Sequence, residues 1–173
     1  GVARFDQLTA DYERMFLDRV VLQKYIRSAL LVKQRFIEED EFDRGIRNIF
    51  NYGHSFGHAI ESTTDYAIPH GIAVTIGMDM ANYIAAKREL LPMEHYHRMH
   101  TILRKNYDKF AGRPMSVDTI LAALMKDKKN TSAMLGLVFP MGEGAAIECV
   151  QVSPDETFRH QCKQFLTDLS ERI

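Results

Sequence analysis

The pattern of hydrophobic and polar positions is helical along most of the chain. Between Val20 and Glu39, apolar residues recur at spacings of three and four, which predicts one face of a long amphipathic helix. The segment "FDQLTADYERMFL" before it predicts a shorter helix, and "IRNIFNYGHSFGHAIES" after an acidic break predicts another. Each interior glycine costs about 1 kcal/mol relative to alanine, so we expect a packing or binding reason for Gly53 and Gly57.

Proline and capping residues divide the rest of the chain into further elements. Pro69 marks the start of a helix from His70 that is apolar on nearly every side in its first half, as buried helices are. Pro92 begins a highly charged helix, and Ser116 is expected to cap the next one, over 117–129. The segment "SPDE" from Ser153 predicts a capping box and a terminal helix.

Two segments have the composition of β-strands. "MLGLVFP" and "AAIECVQV" flank the glycine-containing "MGEG", which predicts a small hairpin. We therefore expect a mainly α-helical fold with one minor β-hairpin. The length of 173 residues corresponds to a single domain over residues 1–173.

Composition narrows the class of protein further. Hydrophobic residues make up 46% and charged residues 26%, as in ordinary globular domains, and the net charge of −1 gives no reason to expect a nucleic-acid or membrane surface. Cys149 and Cys162 lie outside any CxxC pattern, which fits a reducing compartment. With no apolar run of 18 residues and no signal-peptide pattern, we expect a cytoplasmic protein.

The candidate chemistry lies in three histidines. His54 and His58 are four residues apart and point to the same side of the predicted helix, and His70 would return to them after a short loop. Three imidazoles in one place could bind a transition metal, because a catalytic zinc site needs three protein ligands and an open position. The alternative is that the HxxxH pair consists of core histidines bonded to backbone carbonyls.

A second histidine group lies on the charged helix after Pro92. It consists of His95, His97 and His100 in "EHYHRMH". Because the neighbouring positions are charged and the helix is amphipathic, we interpret this group as a solvated face.

Several of these segments together resemble one known family. "RNIFNYGHSFGHAIES" followed by "HGIAVTIGM" is similar to the signature of the 3-dehydroquinate synthases, the sugar phosphate cyclases. The similarity continues in register through "VKQRFIEEDEFDRGIRN", "LMKDKKN" and "LGLVFPMGEG", from about Leu22 to Val152. Family members have an N-terminal NAD-binding Rossmann-like domain and a C-terminal helical domain, and this sequence resembles the second alone. The resemblance implies an NAD-binding half in the same protein and a homodimer when full length.

The resemblance also implies roles for individual residues. His54 and His70 correspond to two ligands of the family's zinc, a position that Co²⁺ or another divalent metal could also take. His58 corresponds to a histidine that faces the substrate or supports a ligand, and Asn51 corresponds to a substrate-binding asparagine.

Basic residues are implied to hold the substrate's phosphate and carboxylate. These basic residues are Lys33, Arg47 and one of Lys128 and Lys129. Together with Asn51 and His58 they form the catalytic and substrate-binding set that the resemblance implies. The family's substrate is a seven-carbon keto acid phosphate with about three negative charges, so its retention needs several convergent cations. Without the resemblance the lysines would be surface residues, whereas Arg47 precedes Asn51 by one helical turn and His54 by two.

The sequence departs from the family pattern in two ways. Ile72 stands where members usually have a glutamate after "HG", which removes a carboxylate from the start of the helix that carries His70. The family's third zinc ligand, a glutamate in an "AEVIK"-like segment, and its glycine-rich nucleotide loop are not in this sequence. We therefore expect the chain alone to bind zinc weakly or not at all and to be inactive.

The implied reaction is an NAD-dependent cyclisation with loss of phosphate, a carbon–oxygen lyase step of the shikimate route to aromatic amino acids. In the family, NAD transiently oxidises a substrate hydroxyl, phosphate is eliminated, the ketone is reduced again and the ring closes by an aldol step. Three alternatives stay open. They are another sugar phosphate cyclase, for example one acting on sedoheptulose 7-phosphate, a metal-dependent polyol or alcohol dehydrogenase, and a helical binding domain with structural histidines.

Overall fold

The structure is a computed structural model that describes residues 2–42, 45–126 and 134–171. It confirms the mainly α-helical fold with one two-stranded antiparallel sheet among the described residues. The helices are α1 Val2–Leu17, α2 Arg19–Glu39, α3 His54–Thr63, α4 His70–Lys87, α5 Met93–Tyr107, α6 Val117–Lys126 and α7 Glu156–Glu171, with 3₁₀ helices at Ile46–Asn51 and Asp108–Phe110 and strands β1 Leu135–Met141 and β2 Ala146–Val152. Within the described ranges, no helix combines the length and the apolar character that crossing a bilayer requires.

The chain divides into two compact units, a first unit of Gly1–Phe50 and a second unit of Asn51–Ile173. In the first unit, the Asp18 side chain caps α2 by accepting a 2.9 Å hydrogen bond from the Val20 amide. The Tyr25 hydroxyl on α2 lies 2.8 Å from an Asp11 carboxylate oxygen on α1. These contacts hold α1 and α2 as a helical hairpin.

One side of α2 exposes apolar side chains. They follow a single stripe of the helix and are Leu22, Ile26, Leu30 and Ile37, with exposed fractions of 41%, 50%, 62% and 38%. Val21 is the buried residue of this helix. An apolar stripe of this length on a surface is typical of a face that another part of a protein covers.

Helix α4 is the centre of the second unit. Its side chains are buried almost continuously from Ala73 to Ala86, and the helix packs against α3, α5, α7 and β1. The sequence predicted this burial from the apolar residues on every side of the helix. The positions of α3 and of the start of α4, which carry the histidines, are therefore fixed by the core.

Glycines set how closely α3 approaches α4. A Cβ added to Gly77 would lie 2.2 Å from the Gly53 carbonyl oxygen, and one added to Gly57 would lie 2.9 Å from the Val74 Cα. Both distances are too short for any side chain, so the helices can pack this tightly only with glycine at these positions. The packing reason expected for Gly53 and Gly57 is thus the backbone of α4.

Gly53 also breaks the helix that the sequence predicted over 46–62. Its φ of +77° lies in the left-handed region, where glycine is favoured. The chain therefore forms a 3₁₀ helix over Ile46–Asn51, turns at Gly53 and begins α3 at His54. The prediction of one continuous helix was wrong, and with it the expectation that Arg47 and His54 share a helix face.

The C-terminal elements agree with the sequence except at one cap. β1 and β2 pair antiparallel, with Leu135 opposite Val152. The cap of α7 is Asp155, whose carboxylate accepts a 2.9 Å hydrogen bond from the Phe158 amide, so the predicted capping box from Ser153 was two residues early. The predicted extension of α6 to residue 129 lies outside the described residues.

The histidines of α5 are not a uniformly solvated face. His97 is exposed as predicted, but His100 Nδ1 lies 2.6 Å from a carboxylate oxygen of Asp79, which is fully buried in α4. The same carboxylate oxygen accepts a hydrogen bond from the Tyr107 hydroxyl. The surface interpretation was therefore wrong for His100, because a buried carboxylate needs donors and this histidine supplies one.

Candidate metal centre

One face of α3 carries three potential metal-binding side chains. His54, His58 and Glu61 occupy positions i, i+4 and i+7, which fall within about 60° around a helix that turns 100° per residue. His54 is half-buried, His58 is exposed and Glu61 is buried. The helix thus presents two imidazoles and a carboxylate on one face, with the exposed His58 between two more buried side chains.

His70, at the start of α4, completes the cluster. The ring centroids of His54 and His58 lie 5.7 Å apart, and each lies 5.6 Å from the centroid of His70. The chain makes this return through the loop between α3 and α4, in which the Tyr66 amide donates a 2.8 Å hydrogen bond to the Glu61 carbonyl. Three imidazoles therefore form a nearly equilateral triangle.

Two of the three rings have a hydrogen-bond acceptor at Nδ1. His54 Nδ1 lies 3.3 Å from the Tyr52 carbonyl oxygen, and His70 Nδ1 lies 3.0 Å from Glu61 Oε2. An acceptor at Nδ1 is the arrangement that most metal-bound histidines have, because it leaves Nε2 free for the metal.

Burial keeps His54 in the form that binds metals. Burial lowers the pKa of His54 below its ordinary value, and the charges that His58 and His70 can carry lower it further, while the hydrogen bond to Tyr52 opposes this. His54 is therefore neutral at neutral pH, with a lone pair on one ring nitrogen.

The donor set fits a divalent transition metal. Within the described residues, His58, Glu61 and His70 have one ligand atom each that lie within 4.8 Å of one another. Imidazole nitrogen and carboxylate oxygen are the donors of zinc and cobalt sites. Ile72 contributes no carboxylate in the first turn of α4, so the carboxylate beside His70 is the one from Glu61.

A match to known proteins covers most of the chain. The family model for the 3-dehydroquinate synthase C-terminal domain matches residues 1–130. The chain belongs to the 3-dehydroquinate synthase family. A 3-dehydroquinate synthase of Helicobacter pylori is 36% identical over 165 residues, which are 91% of this chain and 48% of that protein. One from Campylobacter jejuni is 35% identical over 163 residues, 83% of this chain and 46% of that protein.

Solved structures of cyclases share the fold. A 2-epi-5-epi-valiolone synthase of Streptomyces hygroscopicus, determined with NAD⁺ and Zn²⁺ bound, superposes with a TM-score of 0.77 at 22% identity and covers 98% of this chain and 46% of that one. A 2-deoxy-scyllo-inosose synthase complexed with carbaglucose-6-phosphate, NAD⁺ and Co²⁺ superposes with a TM-score of 0.70 at 25% identity, over 85% and 41% of the two chains. This chain spans about half the length of the family members that it matches.

The other residues that family membership implicates lie on different elements. Asn51 ends the 3₁₀ helix just before α3 and is half-buried. In the first unit, Lys33 is exposed on α2, while Arg47 Nη1 donates hydrogen bonds to the carbonyl oxygens of Asp40, at 3.1 Å, and Glu41, at 2.9 Å. Lys128 and Lys129 lie outside the described residues.

A groove beside the cluster is large enough for a small organic molecule. It lies between α3 and α6 and has a volume of about 670 Å³. His58 and Ser55 line it from α3, and Lys126 and Thr119 line it from α6. His58 thus borders both the histidine cluster and an open groove with polar and apolar lining.

Glu61 is the site residue that the sequence analysis missed. A signal was present, because Glu61 follows His58 by three residues and His54 by seven and so shares their face of a helix. The proximity of its side chain to His70 had no signal in the sequence, since it depends on how the loop between the helices folds.

Proposed function

We propose that this chain is the C-terminal metal- and substrate-binding domain of a 3-dehydroquinate synthase-like enzyme. The complete protein would cyclise a seven-carbon keto acid phosphate with elimination of phosphate. The observation that supports the proposal most strongly is that the rings of His54, His58 and His70 converge, in a chain of this family.

His54 and His70 would hold a divalent cation, Zn²⁺ or Co²⁺, in this domain. Their Nδ1 atoms face a carbonyl and a carboxylate oxygen, which supports Nε2 as the ligand atom of each. A bound metal would supply a Lewis acid for a substrate oxygen, and NAD would supply a hydride acceptor. The third protein ligand would come from the rest of the protein, as the family pattern implies.

Substrate retention would fall to polar and basic residues at the positions that the family uses to bind its substrate. His58 is exposed next to the proposed ligands, so its imidazole can donate a hydrogen bond to a substrate phosphate or take up a proton from it. Asn51 would bind a substrate hydroxyl, and Lys33, Arg47 and one of Lys128 and Lys129 would neutralise the phosphate and carboxylate. Convergent cations of this kind hold a polyanion in one conformer.

The NAD-binding half would belong to the same protein, and the full-length enzyme would be a cytoplasmic homodimer. The further half is supported by the share of the relatives that the chain spans, about half. The exposed apolar stripe of α2, around Ile26 and Leu30, is also a surface that a further domain can cover. Without that half, the chain has no hydride acceptor and should be inactive.

A chimera tests the proposal directly. In it, this chain replaces the C-terminal half of the Helicobacter pylori relative, and phosphate release from the seven-carbon keto acid phosphate is measured with NAD and Zn²⁺. We expect release by the chimera, none by the chain alone, and at least a 100-fold lower rate for His54→Ala, with the exposed His97→Ala as the matched control. A folded chimera that binds NAD but releases no phosphate would contradict the proposal, as would turnover by the chain alone.

Another sugar phosphate cyclase is the second candidate. Ile72 replaces a glutamate that the family usually has beside the metal-binding histidine, and the solved relatives include synthases of other cyclitols. The same chimera, given sedoheptulose 7-phosphate and other sugar phosphates in parallel, distinguishes the two substrates by the rate of phosphate release or cyclised product.

A further inference from the structure

We infer that Glu61 is a positioning residue that fixes His70 in the tautomer with Nδ1 protonated and Nε2 free for the metal. The inference rests on the proposed function, because it gives Glu61 a role towards the metal that His54 and His70 would bind. The histidine and glycine motif of the sequence does not by itself assign Glu61 to the site.

A hydrogen bond joins the Glu61 carboxylate to the His70 ring. Glu61 Oε2 lies 3.0 Å from His70 Nδ1, and Glu61 is 9% exposed. An ionised carboxylate only accepts hydrogen bonds, so Nδ1 must be the donor. Nε2 is then the one ring nitrogen of a neutral His70 with a lone pair, and it is the only atom of this ring that can bind a cation.

His54 has the same arrangement with a different acceptor. The Tyr52 carbonyl oxygen, which also only accepts, lies 3.3 Å from His54 Nδ1. Tyr52 is held in turn by a hydrogen bond from its hydroxyl to the Asn82 side-chain oxygen, and Asn82 is fully buried. Both histidines thus have an acceptor at Nδ1, which leaves Nε2 of each ring as the possible ligand atom.

The main chain of Glu61 is held at a turn. Its carbonyl oxygen accepts hydrogen bonds from the Tyr66 amide at 2.8 Å and the Thr64 amide at 3.3 Å, at the turn that leads back to α4. His70, in contrast, has a side chain that is 56% exposed and would rotate without a partner. The Glu61 side chain is only 12% exposed, so the carboxylate has less freedom to move than the imidazole and orients it.

The competing role for Glu61 is that of a metal ligand with His58 and His70, whose donor atoms lie within 4.8 Å of one another. In that role the carboxylate would exchange its hydrogen bond to Nδ1 for a bond to the metal. The observed contact is a hydrogen bond of ordinary length, and the matching contact at His54 involves a carbonyl, so the geometry favours positioning.

Two measurements test the inference. Long-range ¹H–¹⁵N NMR of the metal-free chain, at a pH where His70 is neutral, reports its tautomer. Titration of the chimera described above with Zn²⁺ gives the metal affinity of a site that includes the ligand of the N-terminal half. The variants are Glu61→Ala, Glu61→Gln, which keeps an acceptor oxygen, and the exposed control Glu148→Gln. If Glu61→Ala fails to fold, Glu61→Gln carries the comparison.

We expect His70 to be protonated at Nδ1 in the unmodified chain and in Glu148→Gln. Glu61→Ala should shift it towards the Nε2-protonated form and weaken zinc binding about 10- to 100-fold, with Glu61→Gln between the two. An Nε2-protonated His70 in the unmodified chain would overturn the inference. So would zinc binding that is abolished by Glu61→Ala and His58→Ala but not by His54→Ala, because Glu61 would then be a ligand. If the tautomer shifts as expected but the chimera, which has the third ligand of the N-terminal half, binds no zinc, the proposed metal site fails while the orienting role of Glu61 stands.

Discussion

Gly77 shows how one missing side chain determines the geometry of the site. It lies in α4 where that helix meets the start of α3, and a Cβ there would be 2.2 Å from the Gly53 carbonyl oxygen and 2.8 Å from the Gly57 amide nitrogen. His54 follows Gly53 directly, so the approach of the two backbones also sets the distance from His54 to His70.

We expect Gly77→Ala to lower the free energy of unfolding by about 1–3 kcal/mol, because the added methyl group forces the helices apart. Urea unfolding followed by circular dichroism measures this. Gly71→Ala is the matched control, since Gly71 lies in the same helix with nothing within 4 Å of an added Cβ. That substitution should be neutral or stabilising by up to about 1 kcal/mol, because alanine is the better helix former. Equal effects of the two substitutions would contradict the close-packing explanation.

At the scale of elements, α7 carries a thiol that titrates only at high pH. Cys162 is fully buried against the core, and burial raises the pKa of its thiol to about 12, whereas Cys149 on β2 is exposed. In the unfolded chain the thiol of Cys162 would ionise near its ordinary pKa of 9.0. The two states therefore bind different numbers of protons between about pH 9 and 12.

The direction in which stability changes with pH follows from this difference in bound protons. Above pH 9 the unfolded chain has lost the Cys162 proton and the folded chain retains it, so stability is complete below pH 9 and falls as the pH rises towards 12. The slope from this group is at most about 1.4 kcal/mol per pH unit. Urea unfolding at pH 8, 9 and 10 should show this decline in the free energy of unfolding. Cys162→Ala should make the decline smaller between pH 9 and 10, where tyrosines contribute less.

A thiol reagent at pH 8 should modify Cys149 in the folded chain and Cys162 only after unfolding. Rapid modification of Cys162 in the folded chain would contradict this.

At the scale of the whole molecule, the first unit exposes more apolar surface than a surface helix usually does. The stripe of α2 that includes Leu22, Ile26 and Leu30 is well exposed. Family members are about twice as long as this chain. The occupant of this stripe that fits both observations is the further domain proposed above.

We expect Ile26→Asp with Leu30→Asp to leave the stability of the isolated chain within about 0.5 kcal/mol, because both side chains are already exposed. The same pair should weaken association with the separately produced N-terminal half of the Helicobacter pylori relative at least tenfold, measured by analytical ultracentrifugation. Arg27→Asp, at an exposed position of the same helix, is the charge control. A chain that dimerises by itself, and loses the dimer with this double substitution, would show that a second copy covers the stripe instead.

Much of this molecule was determined by the sequence itself. Helical periodicity predicted α1, α2 and the buried α4, strand composition predicted the hairpin, and the spacing of His54, His58 and His70 predicted a cluster. These features depend on backbone geometry that repeats every few residues, so a local pattern of side chains is enough to specify them.

Only the tertiary structure decided which side chains meet over longer distances. The contact of Glu61 with His70, the pairing of His100 with the buried Asp79 and the break of the helix at Gly53 were not predictable from local pattern. Each depends on the approach of two elements that are separated along the chain, and a hydrogen bond or a close backbone contact forms only when that approach is correct to a fraction of an ångström. Periodicity specifies which side of a helix a residue occupies, whereas its partner is set by how the helices pack.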